Sequence, residues 1–259
     1  MNSAMLVGIN HYLLPGNDLQ GCINDVNNIR HLLTIGCGFS VLQVKTLVDE
    51  QAVKKSIMDS LALMVEQAQP GDHLVFAMSS HGAQVPAAIG DETEPDHMTE
   101  IICPHDFDWV PEHYITDDEM HAICAQLNPD ATLDVILDSC HSGTMLRDPD
   151  PGVARSIPYP FELPIMPGTT TRMLKDHDFE NVALWAGCRE DQTSADAFIG
   201  GEHQGALSYV FTKNIFRFGC PRTRVNLISK MKLDLNRLGY EQEPQLEVSE
   251  EMGQKEIFT

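Results

Sequence analysis

The chain has 259 residues, 42% apolar and 21% charged, ordinary for a globular protein and enough for one large α/β domain or two small ones. Its formal net charge of −21 argues against a sequence-blind grip on nucleic acid or an anionic membrane, and permits cationic substrates or metal ions such as calcium. No apolar run approaches the ~20 residues that span a bilayer, and residues 1–10 lack the basic region of a signal peptide.

The seven cysteines (22, 37, 103, 124, 140, 188 and 220) include no CxxC pair, so a structural zinc site is not expected. With no export signal they read as reduced thiols in a cytoplasmic protein, mostly small core residues.

Residues 5–9, Met-Leu-Val-Gly-Ile, read as a first buried strand. A helix is expected over 19–35, with Cys22, Val26, Ile29, Leu32 and Leu33 on its inward stripe. Asp25 lies three residues after Cys22 on that same side, where an acid needs a partner or a task. A strand over 41–48, a helix over 51–68 and a strand over 73–78 follow. This β-α-β-α-β order implies a parallel sheet with right-handed crossovers.

Residues 90–108 carry seven acids and no Lys or Arg around Ile101-Ile102-Cys103, the pattern of a solvated loop beside an edge strand. Thr116, with Glu119 three residues later, forms a capping box that opens a helix whose stripe continues through Met120, Ile123 and Leu127. A strand then runs from Leu133 to Asp138. Residues 147–178, with six prolines and the basic residues Arg147, Arg155, Arg172 and Lys175, read as an exposed loop. It divides a larger part, 1–146, from a smaller one, 179–259, within a single domain sharing one sheet. A strand over 182–186, helices over 205–218 and 223–238, and a short strand over 244–248 complete the chain.

Two of these strands stop at reactive side chains. One ends in Ser79-Ser80-His81-Gly82 and the other in Asp138-Ser139-Cys140-His141, at the edge where open α/β sheets bind ligands. Cys140 as nucleophile needs a base to form its thiolate, and His81 on a neighbouring strand can supply one. Backbone N–H groups of Gly82 and Cys140 would face the developing oxyanion. The GxSxG elbow, GK[ST] P-loop and GxGxxG are all absent, so neither a serine hydrolase, nor a nucleotide-binding protein, nor an organic cofactor is expected.

Ser79-Ser-His-Gly82 and Asp138-Ser-Cys-His-Ser-Gly143 resemble the two catalytic signatures of the metacaspases and their prokaryotic relatives, the orthocaspases, in the caspase-like cysteine peptidase clan. Leu19-Gln-Gly-Cys-Ile-Asn-Asp25-Val, Ile115-Thr-Asp-Asp-Glu-Met120, Arg189-Glu-Asp-Gln192 and Glu243-Pro-Gln-Leu246 extend the resemblance, in order, along nearly the whole chain. It implies a caspase-like α/β fold, a mostly parallel central sheet flanked by helices on both faces. It also implies a cysteine endopeptidase with a Cys140/His81 dyad, His141 being a motif residue that points away.

Cleavage after Arg or Lys in protein or peptide substrates is implied too, with a pocket lined by Cys22, Asp25, Ser79 and Asp138. The chemistry agrees, since a buried guanidinium needs carboxylates that accept charge-assisted hydrogen bonds. Many family members bind calcium, and Asp117 and Asp118 match two of the ligand positions. At two other positions Thr99-Glu100 replaces an Asp-Glu pair, and Arg147 precedes Asp148. Calcium takes about six to eight oxygens, so dependence on it is an open expectation. Arg155, Arg172 and Lys175 are candidate self-cleavage sites. The alternative reading is a non-enzymatic caspase-like scaffold or regulatory binding module, which has no chemical reason to keep both Cys140 and His81. Pro244 in the closing strand discourages edge pairing, so a monomer is expected.

Overall fold

The computed structural model describes residues 2–87, 98–140, 153–160, 179–188, 192, 194–218 and 222–258. In chain order these hold β1 (Ser3–Gly8), α1 (Cys22–His31), β2 (Val44–Val48), α2 (Lys54–Glu66), β3 (His73–Ser79), β4 (Gly82–Pro86), β5 (Met98–Ile102), β6 (Ile115–Thr116), α3 (Asp117–Cys124) and β7 (Thr132–Asp138). They continue with β8 (Val153–Ala154), β9 (Val182–Ala186), β10 (Ala195–Ile199), β11 (Glu202–Gly205), α4 (Ala206–Phe218), α5 (Arg224–Leu238), β12 (Gln245–Glu247) and α6 (Glu250–Gln254). None of the described helices is long and apolar enough to cross a membrane.

The continuous apolar runs of the sequence become the centre of a six-stranded sheet in the order β12-β9-β7-β3-β1-β2. Strands β2, β1, β3, β7 and β9 are parallel, and β12 closes one edge antiparallel to β9. Successive side chains on a strand point to opposite faces, so a strand buried on both sides must be apolar throughout. Met5, Val7, Phe76, Met78, Val135 and Leu137 pack on one face with α2 and α3. Leu6, Val75, Ala77, Ile136 and Trp185 pack on the other with α1, α4 and α5. The helices therefore cover both faces, as expected. Asp134 is the polar exception within β7. It takes a bidentate pair from Arg224 (Nη2 2.6 Å, Nε 2.8 Å) and the Trp185 indole N–H, tying α5 to the sheet.

Strand order reverses between β1 and β3, so the topological switch point lies at their C-terminal ends, beside the end of β7. Two three-stranded sheets flank this edge, β4-β5-β6 and β11-β10-β8.

Several boundaries differ from expectation. The first helix starts at Cys22 and passes into a π-helical turn, Leu32–Gly36, and residues 41–43 form a 3-10 turn before β2. Strand β4 and the β10–β11 hairpin had no sequence signal strong enough to mark them, because their short stretches mix polar and apolar residues. Cys37 is disulfide-bonded, so the reading of all seven cysteines as reduced thiols does not hold for it.

The capping box at α3 is present with both of its bonds: Glu119 N–H donates to Thr116 Oγ1 and Thr116 N–H to the Glu119 carboxylate. Thr116→Ala is expected to cost about 1 kcal/mol, read as a lower midpoint in urea unfolding with unchanged slope.

Candidate active site

The parallel pairing of β3 with β7 sets Ser79 opposite Asp138. His81 and Cys140 each lie two residues beyond that last pair, so the strand register alone brings them to the same height above the sheet. The backbone N–H of His81 donates to Tyr12 Oη at 2.8 Å, and the two rings lie 5.1 Å apart between centroids. His81 Nε2 lies 2.8 Å from the Asn17 carbonyl. A carbonyl only accepts, so the proton sits on Nε2 and Nδ1 keeps its lone pair. Nδ1 makes no hydrogen bond. Burial lowers the His81 pKa to about 4, outweighing the pull of the carbonyls at Asn17 and Arg155. The imidazole is therefore neutral at physiological pH and free to accept a proton.

Cys140 is buried, and near it Cys188, just past the end of β9, donates its Sγ–H to the Gln192 carbonyl at 3.3 Å. The neighbouring Cys140 and burial raise the Cys188 thiol pKa.

Beside these residues sits a pocket of three buried carboxylates from three elements: Asp25 on α1, Asp138 on β7 and Asp196 on β10. Each is held by further bonds. Asp25 Oδ1 accepts from Gly205 N–H at 2.9 Å and Oδ2 from Ser79 Oγ at 2.6 Å. Asp138 Oδ1 accepts from Ser194 Oγ at 2.6 Å, while Oδ2 accepts from Ser208 N–H at 2.9 Å and Oγ at 2.7 Å, in the first turn of α4 where a carboxylate suits the helix dipole. Asp196 Oδ2 accepts from the backbone N–H groups of Gln20 (2.7 Å) and Gly21 (3.2 Å). Gly21 and Gly205 admit no side chain: a Cβ would run into the Asp196 carboxylate at the first, and into the Asp138 carboxylate and Arg155 guanidinium at the second.

Arg155 fills this pocket with none of its surface exposed. Its Nη2 lies 2.7 Å from Asp25 Oδ2 and 3.4 Å from Asp196 Oδ1. Its Nη1 donates to Ser79 Oγ at 2.6 Å and to the Asp138 carbonyl at 3.2 Å, and lies 3.4 Å from Asp138 Oδ1. Burial alone would lower the Arg155 pKa, but Cys22 and the three carboxylates around it raise it further, so the charge is kept. Burial pushes Asp25 up to about 7 in spite of the guanidinium.

Arg155 sits at a bend between β8 and the isolated bridge that Ser156 makes with Gly82. Strand β8 pairs antiparallel with β10, and Arg155 N–H donates to the Ser194 carbonyl at 3.1 Å. The Arg155 carbonyl accepts from two converging donors, Gly82 N–H at 3.0 Å and Cys140 N–H at 3.2 Å. Ile157 N–H then donates to the Gly82 carbonyl at 3.0 Å. Residues 153–157 are thus held in the cleft by main-chain bonds to Ser194, Gly82 and Cys140, as a bound peptide is held at a sheet edge. The expectation that 147–178 is an exposed loop is thus corrected for residues 153–160, where Arg155 and Ile157 are buried. A cluster of buried carboxylates is costly without a cation, and Arg155 is the cation it takes.

Comparison with known proteins shows the family. The family model described as "Metacaspase, peptidase C14 domain" matches residues 2–149. The chain belongs to the metacaspase family. Metacaspase-1A of Aspergillus niger is 32% identical over 95% of this chain and 70% of its own length, and metacaspase-1 of Emericella nidulans is 33% identical over the same shares. The crystal structure of protein GSU0716 from Geobacter sulfurreducens superposes with a TM-score of 0.73 over 100% of this chain and 98% of its own, at 20% identity, which speaks for the fold alone. Membership makes the chain a caspase-like cysteine peptidase acting on proteins.

In this metacaspase the pocket residues expected from sequence, Cys22, Asp25, Ser79 and Asp138, are all buried, and the last three bond or ion-pair directly with Arg155. Gly82 and Cys140 meet at one carbonyl. Sequence reasoning missed Asp196, whose only signal is an acid within the apolar strand Ala195-Asp-Ala-Phe-Ile199. It also missed Asn17 and Tyr12, which hold His81.

For calcium, Glu100 in β5 and Asp117, the first residue of α3 directly after β6, are both buried. Among the described residues no group of three or more His, Cys, Asp or Glu could hold a metal ion, so these residues by themselves do not fit a calcium cage. Asp148, Arg172, Lys175 and His141 lie outside the described residues.

Proposed function

We propose that this metacaspase is an endopeptidase that cuts after Arg or Lys, with Cys140 as nucleophile and His81 as base, and that its first substrate is its own Arg155–Ser156 bond. One observation carries the reading: Arg155 has its guanidinium among three carboxylates while its carbonyl rests on the Gly82 and Cys140 N–H groups. Specificity and chemistry converge on a single residue.

In this reading His81 Nδ1 takes the Cys140 proton and the thiolate attacks the Arg155 carbonyl carbon. The resulting oxyanion stays on the two N–H groups, which already point at it. The C–N bond to Ser156 breaks as His81 returns the proton to the leaving amine. Water then attacks the thioester, with His81 again as base, releasing a carboxylate and regenerating the thiol.

The test is a set of fluorogenic peptides differing only in the residue at the scissile position. Arg is expected to exceed Ala or Asp by on the order of a thousandfold in kcat/KM, because a buried polar site left unpaired rejects its analogues strongly. Lys, with a single ammonium in place of the planar fork, is expected to follow Arg. Equal rates for Arg and Asp would sink the assignment. A parallel arm with added calcium tests Asp117 and Asp118: a rise in rate supports a calcium role, and an unchanged rate removes it.

A further inference from the structure

The chain continues past Arg155 along a surface that the catalytic groups do not use. From 155 to 160 burial falls away unevenly: Arg155 and Ile157 are buried, Ser156 and Tyr159 half-buried, and Pro158 and Pro160 exposed. Ile157 and Tyr159, two positions apart, both turn toward the protein, as alternate side chains of a passing peptide do. Ile157, 5% exposed, joins the apolar cluster that contains Ala83, Ile101 and Phe107. Its N–H is held by the Gly82 carbonyl, the residue whose N–H holds the Arg155 carbonyl.

Tyr159 packs on Trp109, with ring centroids 5.2 Å apart and planes at 85°, and Trp109 packs in turn on buried Phe107 at 4.7 Å and 64°. Trp109 has φ of 72°, a left-handed conformation strained for a side chain of this size. The loop beyond it is pinned by Asp108, which accepts from Val110 N–H and pairs with His113. A strained, pinned tryptophan that presents a ring edge-to-face to the passing chain is a built contact.

We propose that Trp109, backed by Phe107, is a substrate-binding subsite on the leaving-group side of the cleft, taking an aromatic residue four positions after the scissile Arg. The same surface takes an aliphatic residue two positions after it. The occupants are peptide segments in extended conformation, and residues 156–159 of this chain are the first of them. The inference rests on Arg155–Ser156 being a scissile bond, and the test separates the two.

Quenched peptides with the sequence of residues 153–159 are compared with versions carrying Ala or Asp in place of the tyrosine. The tyrosine peptide is expected to be cut with about tenfold higher kcat/KM, mostly through KM, as for one aromatic contact with its buried area. Trp109→Ala is expected to bring the Tyr/Ala ratio near one, and Trp109→Phe to keep most of it. Within the chain, Tyr159→Ala is expected to slow self-cleavage by about the same factor and Tyr159→Phe to leave it nearly as fast. Cleavage after Arg that ignores the fourth residue, in both peptides and chain, overturns the subsite and leaves the proposed specificity standing. Failure to cut any Arg peptide overturns that specificity, and the subsite with it.

Discussion

Incubated at neutral pH, the wild-type chain is expected to split between Arg155 and Ser156, while Cys140→Ala and Arg155→Gln stay whole at that bond. The expectation follows from the carbonyl of Arg155 already lying on Gly82 and Cys140 N–H, with both of its terminal guanidinium nitrogens engaged. Little reorganisation is left before attack, the condition under which intramolecular reactions gain most. Mass spectrometry of the fragments decides it: a new N-terminus at Ser156 supports the assignment, and one following Arg172 or Lys175 moves it. Cleavage at an unchanged rate in Cys140→Ala excludes Cys140 as nucleophile.

Removing the arginine also leaves Asp25, Asp138 and Asp196 buried around no cation. Breaking a buried pair from one side costs roughly 3–5 kcal/mol, so Arg155→Gln, measured in a Cys140→Ala background, is expected to lose about that much stability. The loss has a pH signature. Unpaired buried carboxylates hold their protons to higher pH than in the unfolded chain, so the folded state binds more protons and stability falls as pH rises. The variant is expected to be weaker at about pH 8 than at about pH 5 relative to its parent. A difference that does not change with pH would mean that the three acids do not share the site.

Asp25→Asn is expected to lower kcat/KM for Arg peptides by on the order of a hundredfold to a thousandfold, as for truncating one partner of a buried charge pair. Asn keeps an oxygen for the Gly205 N–H, so the fold is expected to survive and the loss to fall on the substrate. The wild-type pH profile carries the same assignment. Burial puts the Asp25 carboxyl at about 7 in the occupied pocket, whereas His81 sits at about 4. The pH dependence of kcat reports groups in the enzyme–substrate complex, so kcat is expected to rise through about pH 7 as Asp25 ionises. His81 is already neutral there. Asp25→Asn is expected to lose that limb. A wild-type profile flat between about pH 6 and pH 8, or a variant that keeps the rise, would take Asp25 out of the specificity pocket.

Local pattern carried much of this protein. Continuous apolar runs marked the central strands, because a strand buried on both faces tolerates a polar residue only where, as at Asp134, partners satisfy it. Helical spacing put Asp25 on the inward side of α1, where it is fully buried. Strand ends marked His81 and Cys140, because parallel strands present their C-terminal ends at one edge. What the sequence could not show was which residues from distant segments meet there. Arg155 reads as one of several basic residues in a proline-rich stretch, yet it lies 130 positions from Asp25 in sequence and 2.7 Å from it in space. Asp196 joins the same pocket only because β10 pairs with β8 and its carboxylate reaches the turn before α1. Composition registers the cost of exposing or burying a residue on average. The sequence by itself determined the sheet and the strand ends at which His81 and Cys140 stand; only the tertiary structure decided that three carboxylates converge in one buried place, and that the cation they require is the chain's own Arg155.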